Sequence, residues 1–331
     1  MSATGPSLPR EVGESIWQVE GPAEGPRLMV LGGVHGNELT GIEVVKALRE
    51  AFETGRLTIQ RGALVLALGN LEAISLGTRG TGDRNLNRMF NPERLKGPPD
   101  GTYEDSRARV LRPFLEQADV LLDIHSTNIP SVPFVSCQAS KRHERVYRWL
   151  DCETVVDDSD HILAGDPATT DEFVDLAGGI GICFESGLAA DVSRVGRIVG
   201  SVSDLLLDLG ICGQDEPGRA VSPQTPVIGS SPGSEFRRPV TYRLVERILL
   251  TAAGFRWADN VGSHYFQALK PGDLIGYHGD VEVRAEGSRV IVFPSLKEHW
   301  KLGEPVCCLA VVDESADGPD HTPPSTTAGS P

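Results

Sequence analysis

Four short apolar runs, at residues 26–33 (PRLMVLGG), 62–70 (GALVLALGN), 119–126 (DVLLDIHS) and 178–187 (GGIGICFESG), set the tightest limit on what this chain can fold into. Each is long enough for a buried strand and too short for a buried helix, and Gly, Pro, Asn or Ser brackets it. Segments with helical spacing separate the runs. In 41–55 (GIEVVKALREAFETG) Ile42, Val45 and Leu48 recur on one face, 103–118 (YEDSRARVLRPFLEQA) leads into the third run, and 192–210 (VSRVGRIVGSVSDLLLDLG) follows the fourth. Apolar strands alternating with helices specify an α/β fold, a mostly parallel or mixed sheet flanked by helices on both faces.

With 331 residues the chain exceeds an ordinary single domain, so a second, smaller unit is expected. Beyond Gly210 the sequence turns rich in Pro, Gly and Ser and loses helical spacing, then resumes as short strands punctuated by turns. The expected division is a lead-in at 1–25, an α/β domain at 26–212, a connector at 213–235, a β-rich C-terminal domain at 236–313 and a tail at 314–331. The tail has too few apolar residues to be held against a core.

A formal net charge of -15 argues against general nucleic-acid binding, which needs clustered Lys and Arg. The opening residues lack a basic start followed by an apolar core, and no stretch reaches the roughly 18–20 apolar residues of a membrane span. The six cysteines form no CxxC pair, so neither a disulfide framework nor a thiolate metal site is indicated. Reduced thiols and a cytoplasmic location without a membrane partner are the expectation.

Ligands of an open α/β sheet bind at the carboxyl ends of the strands, and three of the four runs stop on a candidate there. The first delivers His35 and Glu38, the third His125, and the fourth Glu185. Taken singly each has an ordinary structural reading: a hydrogen-bonded histidine at a sheet edge, or a carboxylate capping the next segment. Together, two imidazoles and a carboxylate with a fourth position left for water form the ligand set of a catalytic zinc site, one Zn2+ per chain. The glycines around His35 let the backbone turn sharply. Glu185, a fourth group at the same edge, suits the general base, and Asp123, two residues before His125 on the same strand face, could orient its imidazole. Thr40 and Glu43 fit a capping box at the helix start. The loop 76–95 (LGTRGTGDRNLNRMFNPERL) opens into the same crevice with several arginines, which can hold a carboxylate bidentately.

With these pieces placed, the chain resembles the aspartoacylase and succinylglutamate desuccinylase family, relatives of the zinc carboxypeptidases. The matching stretches, in order, are GGVHGNE (32–38), DRNLNRMF (83–90, resembling the family's Asp-x-Asn-Arg-x-Phe), YEDSRA (103–108), DIHST (123–127) and FESG (184–187). The resemblance implies a zinc-dependent amidohydrolase acting on a small N-acyl amino acid or similar amide, and allows a homodimer. It implies zinc on His35, Glu38 and His125, Glu185 as general base, Asn87 and Arg88 on a substrate carboxylate, and Arg79 polarising the scissile carbonyl, with Arg84 as its competitor. Two departures bear on the substrate. The residues before Glu185 offer acids, Glu172 among them, where aspartoacylases have an arginine. Near the C-terminal tyrosine of the family stand His299, a substrate-binding candidate, and Trp300. A dicarboxylate is therefore not implied, and the acids would favour a cationic substrate.

Three other readings compete. GSSPG (229–233) formally matches the nucleophile elbow of a serine hydrolase but lies in the connector, without the strand before it and the helix after it. A dinucleotide-binding turn would need GxGxxG, which GGVHG lacks. The last is a non-catalytic zinc-binding protein of the same fold.

Overall fold

The computed structural model describes residues 8–82, 84–213 and 239–313. The connector from residue 214 on, the GSSPG stretch and the 314–331 tail lie outside them. A hairpin of β1 (Arg10–Gly13) and β2 (Ile16–Glu20) is followed by β3 (Arg27–Gly32), α1 (Leu39–Glu53), β4 (Ala63–Leu68), α2 (Leu71–Leu76), α3 (Pro92–Lys96), α4 (Tyr103–Leu115) and β5 (Val120–Thr127). Next come β6 (Phe134–Cys137), α5 (Lys141–Tyr147), β7 (Thr154–Asp157), α6 (Thr170–Leu176), β8 (Ile180–Leu188) and α7 (Val195–Asp208). The C-terminal part holds β9 (Val240–Leu249), β10 (Arg256–Trp257), β11 (Gln267–Leu269), β12 (Leu274–His278), β13 (Val281–Arg284), β14 (Arg289–Val292) and β15 (Pro305–Val312).

Twelve strands join in one mixed sheet, ordered β1-β2-β4-β3-β5-β8-β6-β7-β9-β15-β14-β11, and β10, β12 and β13 form a small second sheet. The four strands read from the sequence, β3, β4, β5 and β8, sit side by side and parallel at its centre. The expected fold class is therefore what the chain adopts. Strand alternation separates two cores. Leu28, Val30, Leu122, Ile124, Ile182 and Phe184 face α1 and α7, whereas Met29, Leu31 and Leu121 face α4 and α6. The hairpin within residues 1–25 extends the sheet through β2 against β4, burying Ile16 and Val19. The sheet also continues without a break into the C-terminal strands, through β7 against β9.

The start of α1 differs from expectation. The helix begins at Leu39 with Glu38 in the cap position and no side-chain cap, so Thr40 and Glu43 form no capping box. Thr40 Oγ1 instead donates to the Asp191 carbonyl at 3.1 Å, and Glu43 accepts from Lys46 at 2.8 Å. The helix therefore starts two residues earlier than expected, and the Glu38 carboxylate turns away from the helix amides toward two histidines. A capping box does form at α6, between Thr169 and Glu172.

Candidate active site

Alternation and register assemble the site. On β5, Asp123 and His125 point to the face opposite Leu122 and Ile124, and the parallel register places Asp123 beside Cys183 and His125 beside Glu185 on β8. His35 and Glu38 arrive from the turn between β3 and α1. Gly33 takes φ +69 in that turn, and a Cβ on Gly36 would lie 2.0 Å from the Ala73 backbone, so both positions demand glycine.

His35, Glu38 and His125 present ligand atoms that all lie within 4.8 Å of one another, and all three residues are buried. Glu38 sits between the rings: His35 Nδ1 is 2.8 Å from its Oε1 and His125 Nδ1 3.0 Å from its Oε2. The outer nitrogens also meet acceptors. His125 Nε2 donates to Asp123 Oδ2 at 3.0 Å, and His35 Nε2 to Asn85 Oδ1 at 3.0 Å. The Asn87 backbone N–H, 2.9 Å away, fixes that end of the Asn85 amide as oxygen. Each imidazole thus has an acceptor at both nitrogens, although a neutral ring donates only once.

Burial, reinforced by the Arg79 charge, lowers the His35 pKa to about 4, so a second proton on this ring is disfavoured. Burial alone would also lower His125 and raise Glu38. Asp123 and Glu38 outweigh it and hold His125 well above its ordinary value, while the two imidazoles hold Glu38 well below its own. A cation other than a proton, placed where the two Nδ1 atoms meet the carboxylate, would satisfy all three groups. The donor set, nitrogen twice and oxygen once with both outer nitrogens oriented, suits zinc.

Glu185 stands beside this cluster. Its Oε2 is shielded from solvent and has no hydrogen-bond partner. Burial, with Glu38 and Asp123 adding to it against His125 and Arg79, raises its pKa to about 7. A carboxylate held near neutrality with one oxygen free is equipped to take and return a proton.

A cavity of about 760 Å³ opens over these groups, and His35, Glu38, Arg79, Asn87, Arg88, His125, Glu185 and His299 all line it, while Asp123 lies behind His125. Arg79 lies closest to the His35–Glu38–His125 cluster, its Nη1 donating to Glu38 Oε1 at 3.0 Å. Arg84 is more exposed and faces Asp100 at 3.8 Å. Asn87 is 7 % exposed, and its Oδ1 accepts from the Thr170 backbone N–H. The Arg88 Nη1 donates to the Asn87 carbonyl at 2.7 Å, and burial together with Arg79 lowers the Arg88 pKa. A half-buried guanidinium beside another cation favours an anionic partner. His299 lines the wall on a short turn, its pKa lowered by burial and then by Arg79. Trp300, its alternative, packs instead on Phe255 and donates to the Ser295 carbonyl.

The acids of the wall divide. Glu172 accepts from His161, Ala168 and Thr169, and Asp158 from the Ile162 and Leu163 amides, so both brace loops. Asp171 lines the cavity with its pKa raised to about 7, by burial first and the nearby Glu172 next.

Sequence reasoning missed four contributors. Asn85 and Thr170 hold groups of the metal-binding cluster, and Tyr265 and Phe293 line the cavity from the C-terminal loops. Phe293 (φ +52) and its neighbour Phe266 (φ +59) both take left-handed backbone, a strain of about 1–3 kcal/mol each. Their rings pack within 5.6 and 5.2 Å of Phe134, the residue that pairs with Glu185 across β6 and β8. Only the NLNR stretch, which Asn85 opens, offered a sequence signal for any of these residues.

The catalytic-domain model of the succinylglutamate desuccinylase/aspartoacylase family matches residues 24–195. The chain belongs to this family. A probable aspartoacylase from Nostoc sp. is 35% identical over 108 residues, covering 30% of this chain and 35% of the relative. The N-alpha-acetyl-L-2,4-diaminobutyric acid deacetylase of Halomonas elongata is 30% identical over 159 residues, 44% of either chain. The matched segments thus span less than half of these relatives' own lengths. Succinylglutamate desuccinylase from Vibrio cholerae superposes with a TM-score of 0.69 at 17% identity, covering 93% of this chain and 91% of its own, a likeness of fold.

Proposed function

We propose that this chain is a zinc-dependent hydrolase that cleaves the acyl amide bond of a small N-acylated amino acid or related amide. The observation that carries the reading is the pairing of a buried His35–Glu38–His125 donor set with Glu185, a carboxylate that keeps one oxygen free beside it. Zinc held by those three residues supplies a polarised carbonyl and a water acidified to a pKa of about 7. Glu185 takes a proton from the attacking water and returns it to the leaving nitrogen. Arg79, beside Glu38, steadies negative charge as it develops on the carbonyl oxygen. Asn87 and Arg88 hold the substrate carboxylate, and His299 reaches the same cavity from the smaller C-terminal unit at 236–313. The α/β unit at 26–212 supplies all the other groups.

The segment before Glu185 brings Asp171 to the cavity wall and carries no arginine for a second substrate carboxylate, and this favours a neutral or cationic side chain. The Halomonas elongata relative, named for a diamino acid, supports that preference. A hydrolysis screen over N-acetyl, N-succinyl and N-formyl amino acids, basic ones included, tests the reading with zinc present. Release of a free amino acid that stops with a chelator and returns with zinc is expected. A metal-free protein after gentle purification, or hydrolysis indifferent to chelator, contradicts it. A serine-directed phosphonate should leave turnover unchanged.

A further inference from the structure

The polar contacts around the His35–Glu38–His125 cluster close into a ring. From Glu38 it runs through His125 to Asp123, whose Oδ2 also accepts from the Thr170 hydroxyl. The Thr170 backbone N–H donates to Asn87 Oδ1 at 3.1 Å, and the Asn87 backbone N–H donates to Asn85 Oδ1 at 2.9 Å. That oxygen also accepts from His35 Nε2 at 3.0 Å, and His35 Nδ1 returns to Glu38 at 2.8 Å. Glu38, His35, Asp123, His125, Asn87 and Thr170 are buried, which shields the contacts among them from competing water, whereas Asn85 is half-buried.

We infer that Asn85 and Thr170 are positioning residues for zinc, tying its two histidine ligands to the turn that carries Asn87 and Arg88. The inference rests on the metal reading above and is independent of the substrate. Neither residue reaches the point where His35 Nδ1, His125 Nδ1 and Glu38 meet; each acts through a ligand's partner. Thr170 holds the Asp123 carboxylate against His125. Asn85 selects the His35 tautomer that turns the Nδ1 lone pair inward.

The two imidazoles are backed unequally. His125 leans on a carboxylate, which increases its basicity, whereas His35 leans on a neutral amide. A carboxylate at position 85, like Asp123 behind His125, would place a further negative charge next to the metal, and Asn85 does not. One consequence is a more weakly held zinc ion. Another is that a shift of the Leu86–Arg88 turn moves His35 and the carboxylate-binding residues together, because one oxygen of Asn85 serves both.

Zinc affinity, measured by competition with a chromophoric chelator on the full chain, tests the inference without an activity assay. Asn85→Leu and Thr170→Val should each loosen zinc by about 10–100-fold. Thr170→Ser, which keeps the hydroxyl, should retain wild-type affinity, and Asn85→Asp should bind zinc more tightly than wild type. Melting of the metal-free proteins separates lost positioning from lost folding: the variants should melt close to wild type without metal and fall behind it only when zinc is added. Should Asn85→Leu or Thr170→Val not fold, the Asn85→Asp and Thr170→Ser affinities still decide. Wild-type affinity in the Leu and Val variants, looser zinc in Asn85→Asp, or Thr170→Ser as weak as Thr170→Val overturns the inference. A wild-type chain that binds no zinc overturns the functional reading with it.

Discussion

At the end of the cavity proposed to hold zinc, His35, Glu38, Asp123 and His125 are each no more than 4 % exposed, and each is bonded to another of the four. At the recognition end Arg79, Arg88, Tyr265 and His299 are half-buried and come from loops or short turns between residues 77 and 301. The first end stands on the ends of parallel strands in the middle of the sheet. The second depends on the C-terminal loops staying folded down onto Phe134. The contrast separates two requirements: the hydrolytic groups need a fixed mutual geometry, while the groups that choose the substrate can change without disturbing it.

Substitutions at the two ends should therefore fail differently. The largest effect is expected from His125→Ala, which removes a ligand: zinc content falls to background and turnover drops by at least ~10³-fold. Metal analysis and an activity assay on the same sample check it. At the recognition end Arg88→Met should keep a full zinc complement and raise KM by about 10–100-fold, the worth of a charge-assisted bond to a carboxylate, with kcat little changed. Loss of zinc in Arg88→Met would erase the contrast.

Smaller effects sharpen it. Glu185 must be ionised to act as a base, and its pKa is raised to about 7. As pH falls below that value kcat/KM should decline about tenfold per unit, and bound zinc, a nearby cation, can only move this limb to lower pH. Asp171 has a folded pKa of about 7, above its ordinary 3.8. Its protonated form is the stable one, so its contribution is present at low pH and lost as pH rises through 7. Asp171→Asn should raise the free energy of unfolding most above pH 7, by on the order of 2 kcal/mol, with the gain vanishing near pH 4, as read from melting at several pH values. A gain that grew toward acid pH would show that Asp171 is stabilised as a carboxylate.

The sequence exposes these two ends unequally. His35, Glu38, His125 and Glu185 were legible because apolar runs mark strands, strands end at the ligand-binding edge, and a period of two puts Asp123 and His125 on one face. The capping reading of Thr40 and Glu43 failed because it weighed local helix chemistry alone, and Glu38 answers to groups 87 and 88 residues away. The short elements β6, β7, α5 and α6 carry four to seven residues each, too few to show a period. Tyr265 and Phe293 left no mark in the sequence, since what brings them to Glu185 is sheet order: β14 and β15 reach β8 only through β9, β7 and β6.

The most direct test is Glu185→Gln, a nearly isosteric change that removes the base and none of the three zinc ligands. Zinc content and turnover should be read on one preparation, against whichever N-acyl amino acid the wild type cleaves best. About one zinc per chain with turnover lowered by ~10²–10⁴-fold is expected. Turnover within tenfold of wild type in a zinc-loaded Glu185→Gln protein would contradict the assignment of Glu185 as the base.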